Sequence, residues 1–258
     1  MVLPHDDVGA GAAVLLLHAA VTDRRMWSEH LQPLADVGHR AVAVDLPGFG
    51  EAPLNPTEDA PWNDVLATMD ALDIGHATLV GNSFGGAVAQ RVAVLAPERT
   101  ASLALISSPA SGTKPSPTLT AAWDAEEAAL EEGDIEAAVE AILEAWLPNA
   151  PDHLRDYVGE VQRRVFELQL NAEPAPEGLD PLEHDLDALS SVDAPALIMV
   201  GEHDMEDFHA AGEALERALV NAQKTVLPDA GHLAPLEQPG AFREALLTFI
   251  TAHRVGES

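Results

Sequence analysis

Thr78-Leu79-Val80-Gly81-Asn82-Ser83-Phe84-Gly85-Gly86-Ala87-Val88-Ala89 is the stretch on which the fold turns. An apolar run ends at Gly81, and a helix-forming run begins just after Ser83. Between them stands Gly-x-Ser-x-Gly, with a further glycine behind it. A strand that becomes a helix within two or three residues forces the residue at the apex into a strained backbone conformation. Small neighbours let strand and helix approach without Cβ clashes. The pattern predicts a serine hydroxyl above the end of a sheet, beside the positive end of a helix. Gly and Ser are also ordinary turn residues. The clear strand before and helix after separate a nucleophile elbow from a plain turn.

Worked outward from here, strand and helix alternate. Upstream, Ala12-Ala13-Val14-Leu15-Leu16-Leu17-His18 and Ala41-Val42-Ala43-Val44-Asp45 are unbroken apolar runs. Continuous rather than alternating hydrophobicity suits parallel strands buried on both faces. Asp45 leads into a tight loop, Leu46-Pro47-Gly48-Phe49-Gly50. Helices are expected over residues 24–35, ended by Gly38, and 62–72, closed by Gly75. After the strand at 77–80 the elbow helix covers 86–95, and 102–107 is the fourth strand. Strands resume at 196–201 and 223–227, with helices over 208–218 and 240–254, and Pro239 sits near the first turn of the last. Such alternation argues an α/β fold, a parallel sheet with helices on both faces.

Between residues 113 and 192 no buried strand is legible. Pro115 and Pro117 break the chain, and helices are expected over 123–132 and 134–147, divided by Gly133. In the second, Ile135, Val139, Ile142, Leu143 and Trp146 share one face. A third helix, 152–170, carries Leu154, Val158, Val161, Val165 and Leu168 on one face, and a Pro/Gly/Asp-rich stretch follows over 171–181. The expected division is a core domain from residues 1–110 and 192–258, with a helical insertion over 111–191.

Composition bounds the function. At 258 residues, with 47% apolar and 22% charged residues, the chain is globular and long enough for a large core. It has no cysteine, which excludes disulfides and thiolate metal sites. Acidic residues outnumber basic ones 43 to 13, and only Lys114 and Lys224 are lysines. A formal charge of −30 repels phosphate backbones and anionic membranes, so neither nucleic acid nor membrane is an expected partner. Met1 to Asp7 lacks a basic leader region, and the run over 12–17 is too short to span a bilayer, so the cytoplasm is the expected location.

Reacting groups in open α/β sheets sit beyond the carboxyl ends of the strands. Four polar features fall there: His18-Ala19-Ala20, Ser83, Asp204 and His232. A serine nucleophile needs a base, and the base needs a carboxylate to fix its tautomer. The order Ser…Asp…His on this topology resembles the α/β-hydrolase superfamily, in its serine carboxylesterase and enol-lactonase-like branch. The resemblance covers nearly the whole chain. It rests on residues 14–27, on Asp45-Leu46-Pro47-Gly48-Phe49-Gly50, on 81–86, on Gly201-Glu202-His203-Asp204, and on Gly231-His232 with Glu237 and Pro239.

The resemblance implies an α/β-hydrolase fold with a helical cap over Ser83. It makes Ser83 the nucleophile, His232 the general base and acid, and Asp204 the partner of His232. The oxyanion hole would use the N–H groups of Phe84 and, in the loop after the first strand, Ala20. The family usually has His-Gly where this chain has His18-Ala19. It usually places a two-strand hairpin ahead of the first strand, where this chain has room for one short strand at most. The expected sheet is six parallel strands with at most an extra edge strand.

Rival readings stay open at this point. His203 adjoins Asp204 and competes as the base; Asp207 competes as the acid. Glu237 reads as a structural acceptor for backbone donors, His18 as a loop anchor and Asp229 as a turn residue. No metal-ligand spacing, phosphate loop or dinucleotide fingerprint is present, so no cofactor or metal is expected. The expected reaction is hydrolysis of a small carboxylic ester or lactone through an acyl-enzyme on Ser83. Gly-Asn-Ser is also reminiscent of C–C bond hydrolases, and lyases, acyltransferases, cofactor-free haloperoxidases and non-catalytic binding proteins share this fold. Trp123, Trp146, Tyr157 and Phe166 are candidate pocket-lining residues, and equally ordinary helix-packing ones.

Overall fold

The computed structural model describes residues 1–173 and 175–253. Among these residues seven strands form one sheet in the order β1-β3-β2-β4-β5-β6-β7. They are β1 (His5–Gly9), β2 (Ala12–Leu17), β3 (His39–Val44), β4 (Ala77–Asn82), β5 (Thr100–Ile106), β6 (Ala196–Gly201) and β7 (Ala222–Leu227). Strands β2 to β7 pair in parallel, and β1 runs antiparallel to β3 along the edge. The six parallel strands and the extra edge strand match the sequence expectation.

The unbroken apolar runs are explained by the two faces of the sheet. Leu15, Leu17, Leu79, Leu103, Leu105 and Ile198 pack on one side; Val14, Leu16, Val80, Ala104, Ile106 and Met199 pack on the other. Successive residues of a strand point to opposite faces, so a strand covered on both sides has no polar position to spare. Helices α1 (Ser28–Asp36), α2 (Pro61–Ala71) and α3 (Phe84–Leu95) cross between the first four parallel strands; α7 (Glu206–Ala218) and α9 (Pro239–Ala252) complete the layers. The segment between β5 and β6 leaves the sheet as α4 (Pro117–Glu131), α5 (Ile135–Trp146) and α6 (Asp152–Leu170). A short α8 (Ala234–Glu237) precedes α9.

Several boundaries differ from the sequence reading. Residues 24–27 form a separate 3-10 turn before α1, because Asp23 caps Arg25 N–H. Helix α4 starts at Pro117 rather than near 123, because Ser116 caps it by accepting from Leu119 N–H at 3.1 Å. The last helix ends at Ala252, and the expected final residue, Arg254, lies outside the described residues. Among the described residues no helix is long and apolar enough to cross a membrane.

The chain steps from β2 outward to β3 and then crosses back past β2 to β4. The loops after β2 and β4 therefore diverge, leaving a crevice at the carboxyl edge of the sheet. Leu17 pairs with Gly81, so the two strands end level and their loops face each other.

Candidate active site

Ser83 occupies the apex between β4 and α3 with φ 50° and ψ −114°. This is a positive-φ conformation that costs a residue with a Cβ about 1–3 kcal/mol. Neighbouring structure imposes it. Ser83 N–H donates to Ile106 O at 2.8 Å, and Ser83 O accepts from Ala87 N–H at 3.0 Å, so strand and helix are both already engaged. A Cβ on Gly81 would collide with the Gly85 carbonyl, and one on Gly85 with the Leu17 carbonyl. The motif glycines thus press α3 onto the ends of β4 and β2. Phe84 opens α3, whose first N–H groups have no partner one turn back.

His232 lies in the loop after β7, and Asp204 in the turn after β6. Their side chains meet: His232 Nδ1 is 3.0 Å from Asp204 Oδ1 and 3.2 Å from Oδ2. Both side chains are buried. Asp204 Oδ1 also accepts the Met205 N–H at 2.8 Å. Burial pushes the Asp204 carboxyl upward, but the charge and hydrogen bond of His232, with the Met205 N–H, hold it below the ordinary value of 3.8. An ionised acceptor makes Nδ1 the protonated nitrogen, leaving Nε2 with its lone pair.

The His232 loop is tied down at three points. Glu237, on α8, accepts from Gly231 N–H and Leu233 N–H, both at 2.8 Å, on either side of the histidine. Asn82, next to Ser83, donates its side-chain amide to His232 O at 3.2 Å and to Ile106 O at 3.1 Å. The imidazole itself is packed against two rings that also touch each other, with centroids 4.3 Å from Phe208 and 4.5 Å from Trp146. The sequence reading anticipated Glu237 as a backbone acceptor; it missed Asn82 and Phe208.

The rival residues are placed elsewhere. His203 is exposed, its side chain within 4.8 Å of Glu202 and Asp229, and it has no hydrogen bond to Asp204. Asp207 accepts from both the N–H and the hydroxyl of Ser116 at 2.6 Å, holding the start of α4. Asp229 takes φ 55° in the turn after β7. His18 is fully buried; its Nε2 accepts Leu46 N–H at 2.9 Å and its Nδ1 donates to Ala19 O at 2.8 Å. Burial lowers its pKa, so it is a neutral anchor between two loops. Asp45 joins the same loops by accepting from Arg24 N–H and Glu51 N–H at 2.9 and 2.8 Å and pairing with the Arg24 guanidinium.

The loop after β2 carries the second expected donor. Ala19 O receives three hydrogen bonds, from His18 Nδ1, Thr22 N–H and the Thr22 hydroxyl, at 2.8, 3.0 and 3.1 Å. A planar trans peptide sends the Ala20 N–H away from that carbonyl. Ala20 borders the cavity that Ser83 and His232 also line, a space of about 180 Å3 closed by Val21, Phe49, Ile142, Val165 and Phe166. Trp123, Glu126, Trp146 and Gln162 complete the wall. Of the four aromatic candidates from the sequence, Trp123, Trp146 and Phe166 reach this cavity. Tyr157 does not; its hydroxyl donates to Asp23 Oδ1 at 3.0 Å and docks α6 on the loop after β2.

A second, larger cavity of about 580 Å3 lies behind the histidine. Alanines of α4 and α5 line it, with Asp204, Met205 and Glu237. Trp146 and His232 border both spaces, so the indole stands in the partition.

Comparison with known proteins agrees with this architecture. Residues 14–245 match the model of the Alpha/beta hydrolase family. A dihydrolipoyllysine-residue acetyltransferase component of an acetoin cleaving system from Pseudomonas putida is 31% identical over 94% of this chain, which spans 64% of that protein's length. A 2-hydroxy-6-oxononadienedioate/2-hydroxy-6-oxononatrienedioate hydrolase from Burkholderia vietnamiensis is 28% identical over 95% of this chain and 90% of its own. Among solved structures, a thermophilic esterase from Thermogutta terrifontis superposes with a TM-score of 0.78 at 26% identity, covering 98% of this chain and 94% of that one. Sequence, sheet order and family match lead to one conclusion: the chain belongs to the alpha/beta hydrolase family.

Proposed function

We propose that this protein is a serine hydrolase that cleaves a small carboxylic ester or lactone through an acyl-enzyme on Ser83. The observation that carries the reading is the His232–Asp204 pair at 3.0 Å, with the imidazole opening onto the same cavity as the strained Ser83. With Nδ1–H held by an ionised carboxylate, Nε2 is the free base. In the first step Ser83 Oγ bonds to the substrate carbonyl carbon while Nε2 takes the hydroxyl proton. The carbonyl oxygen becomes an oxyanion and is held by the N–H groups of Phe84 and Ala20. Collapse breaks the C–O bond to the alcohol, which leaves with the proton from Nε2. A water then attacks the acyl group, losing its proton to Nε2; Ser83 recovers one as the acid departs.

Residues 111–191 act in this reading as a cap. Ile142, Trp146, Gln162, Val165 and Phe166 from α5 and α6 cover Ser83 and exclude bulk water from the oxyanion. The esterase of known structure at 26% identity supports ester chemistry. The hydrolase relative from Burkholderia vietnamiensis keeps C–C bond cleavage as the competing use of the same groups.

Labelling with a fluorophosphonate and mapping the adduct by mass spectrometry tests the nucleophile. A single adduct on Ser83, lost in His232→Ala, is expected. Labelling elsewhere, or labelling indifferent to His232, overturns the reading. Hydrolysis of p-nitrophenyl esters and simple lactones, absent in Ser83→Ala, then narrows the substrate.

A further inference from the structure

The wall of the Ser83 cavity contains a carboxylate that the reaction does not use. Glu126 projects from α4 into a space otherwise bounded by apolar and aromatic groups, Gln162, Ser83 and His232. It receives no hydrogen bond and no ion pair from any described residue, and burial alone raises its pKa. Among the described residues no lysine or arginine lines that cavity. An unpaired carboxylate taken partly out of water is a cost to the fold, removed when a cation or hydrogen-bond donor arrives.

Two further features sit beside it. Trp123 and Trp146 line the same cavity, and indole faces attract cations. On the outer side of α4, a groove of about 460 Å3 is lined by Trp123, Glu126, Glu127, Leu130 and Glu131. Groove and cavity share Trp123 and Glu126. Trp123 and Glu126 therefore stand between the Ser83 cavity and an acidic, aromatic groove, on a protein whose formal charge is −30. Such a field draws cations inward and turns anions away.

We propose that Glu126, Trp123 and Trp146 form a binding site for an ammonium group, so that the preferred substrates are esters carrying a positive charge. This rests on the serine-hydrolase reading for turnover, though not for binding. Anionic substrates, the dicarboxylates among them, would bring a second negative charge against Glu126 and are disfavoured.

The test uses two acetate esters of matched shape, one of 2-(trimethylammonio)ethanol and one of 3,3-dimethylbutanol, which differ in charge alone. The expected kcat/KM ratio favours the cationic ester by about tenfold or more at low salt. Glu126→Gln should bring the ratio down by about fivefold or more, whereas Glu98→Gln, which removes the same charge from an exposed site, should leave it unchanged. A ratio near one, a ratio insensitive to Glu126→Gln, or an equal loss in Glu98→Gln overturns the proposal. Binding is read separately, by tryptophan fluorescence during titration with tetramethylammonium chloride against a sodium chloride control. Saturable quenching, weakened in Glu126→Gln and in Trp123→Ala, supports the site even if neither ester is hydrolysed; no saturable response overturns it. Failure of Ser83 to take a fluorophosphonate would instead sink the hydrolase reading, leaving the cation titration to decide the site alone.

Discussion

The side-chain amide of Gln162, on α6, donates to the main-chain carbonyl of Ala20 at 2.9 Å. The two residues are 142 positions apart, and Gln162 is buried. Ala19 O is already held by three donors, so the Gln162 bond fixes the next carbonyl along and with it the path of the loop. Gln162 is thus a positioning residue for the proposed oxyanion donor. Gln162→Leu should lower kcat by about 10- to 100-fold with KM little changed, since a donor displaced by an ångström stabilises the oxyanion poorly. Gln162→Glu, which keeps the shape but puts an acceptor against a carbonyl, should not rescue it. Steady-state kinetics on one p-nitrophenyl ester decide this; a change confined to KM would refute it.

Ser83 is held at φ 50° and ψ −114°, a conformation that costs stability. Ser83→Gly relieves the strain, partly offset by the greater freedom of glycine in the unfolded chain. The variant should be inactive and more stable by about 1 kcal/mol, a rise in Tm of roughly 2–4 °C. Thermal unfolding followed by circular dichroism measures it. A fall in Tm would mean that the elbow is not strained.

Asp204 titrates below its ordinary value of 3.8. A depressed folded-state pKa means that the carboxylate stabilises the fold at pH values above 3.8 and that this contribution is lost as pH falls through the lower, folded value. The stability gap between the native protein and Asp204→Asn should therefore close as the solution is taken from neutral pH to below pH 3.8. Urea midpoints across that range give the curve. At neutral pH, Asp204→Asn should also lose about 10^4-fold in kcat, because an amide no longer fixes the imidazole tautomer.

Trp146 separates the cavity of about 180 Å3 at Ser83 from the one of about 580 Å3 behind His232. Trp146→Ala should join them. Short esters should then be hydrolysed more slowly, because His232 loses the ring 4.5 Å from its own, while the preferred acyl chain lengthens by several carbons. A series of p-nitrophenyl esters from acetate to decanoate reads both effects; an unchanged chain-length profile would show that the indole is not the partition.

Much of this arrangement was legible from local sequence. The unbroken run from Val14 to Leu17 reads as a doubly covered strand because a strand buried on both faces admits no polar residue. Gly81 and Gly85 mark the elbow because strand and helix meet there within a few residues. Ser83, Asp204 and His232 could be paired in order because each follows a strand, and strand ends share one edge of a parallel sheet. The edge strand β1 was less legible, since Asp6 and Asp7 disguise it; only its antiparallel partner β3 reveals the pairing.

What the sequence determined by itself was the parallel strands, the elbow and the order of Ser83, Asp204 and His232 along them, each read from short-range patterns. Tertiary structure decided how those groups are held and what they face. Asp207 became the anchor of α4 through Ser116, 91 residues away, leaving Asp204 to His232. Trp146 from α5 in the insertion and Phe208 from α7 in the core both pack on the imidazole. Gln162 and Glu126 reach the Ser83 cavity only because α4 and α6 fold back over the sheet edge. Such contacts depend on packing between distant segments, and no local periodicity encodes them.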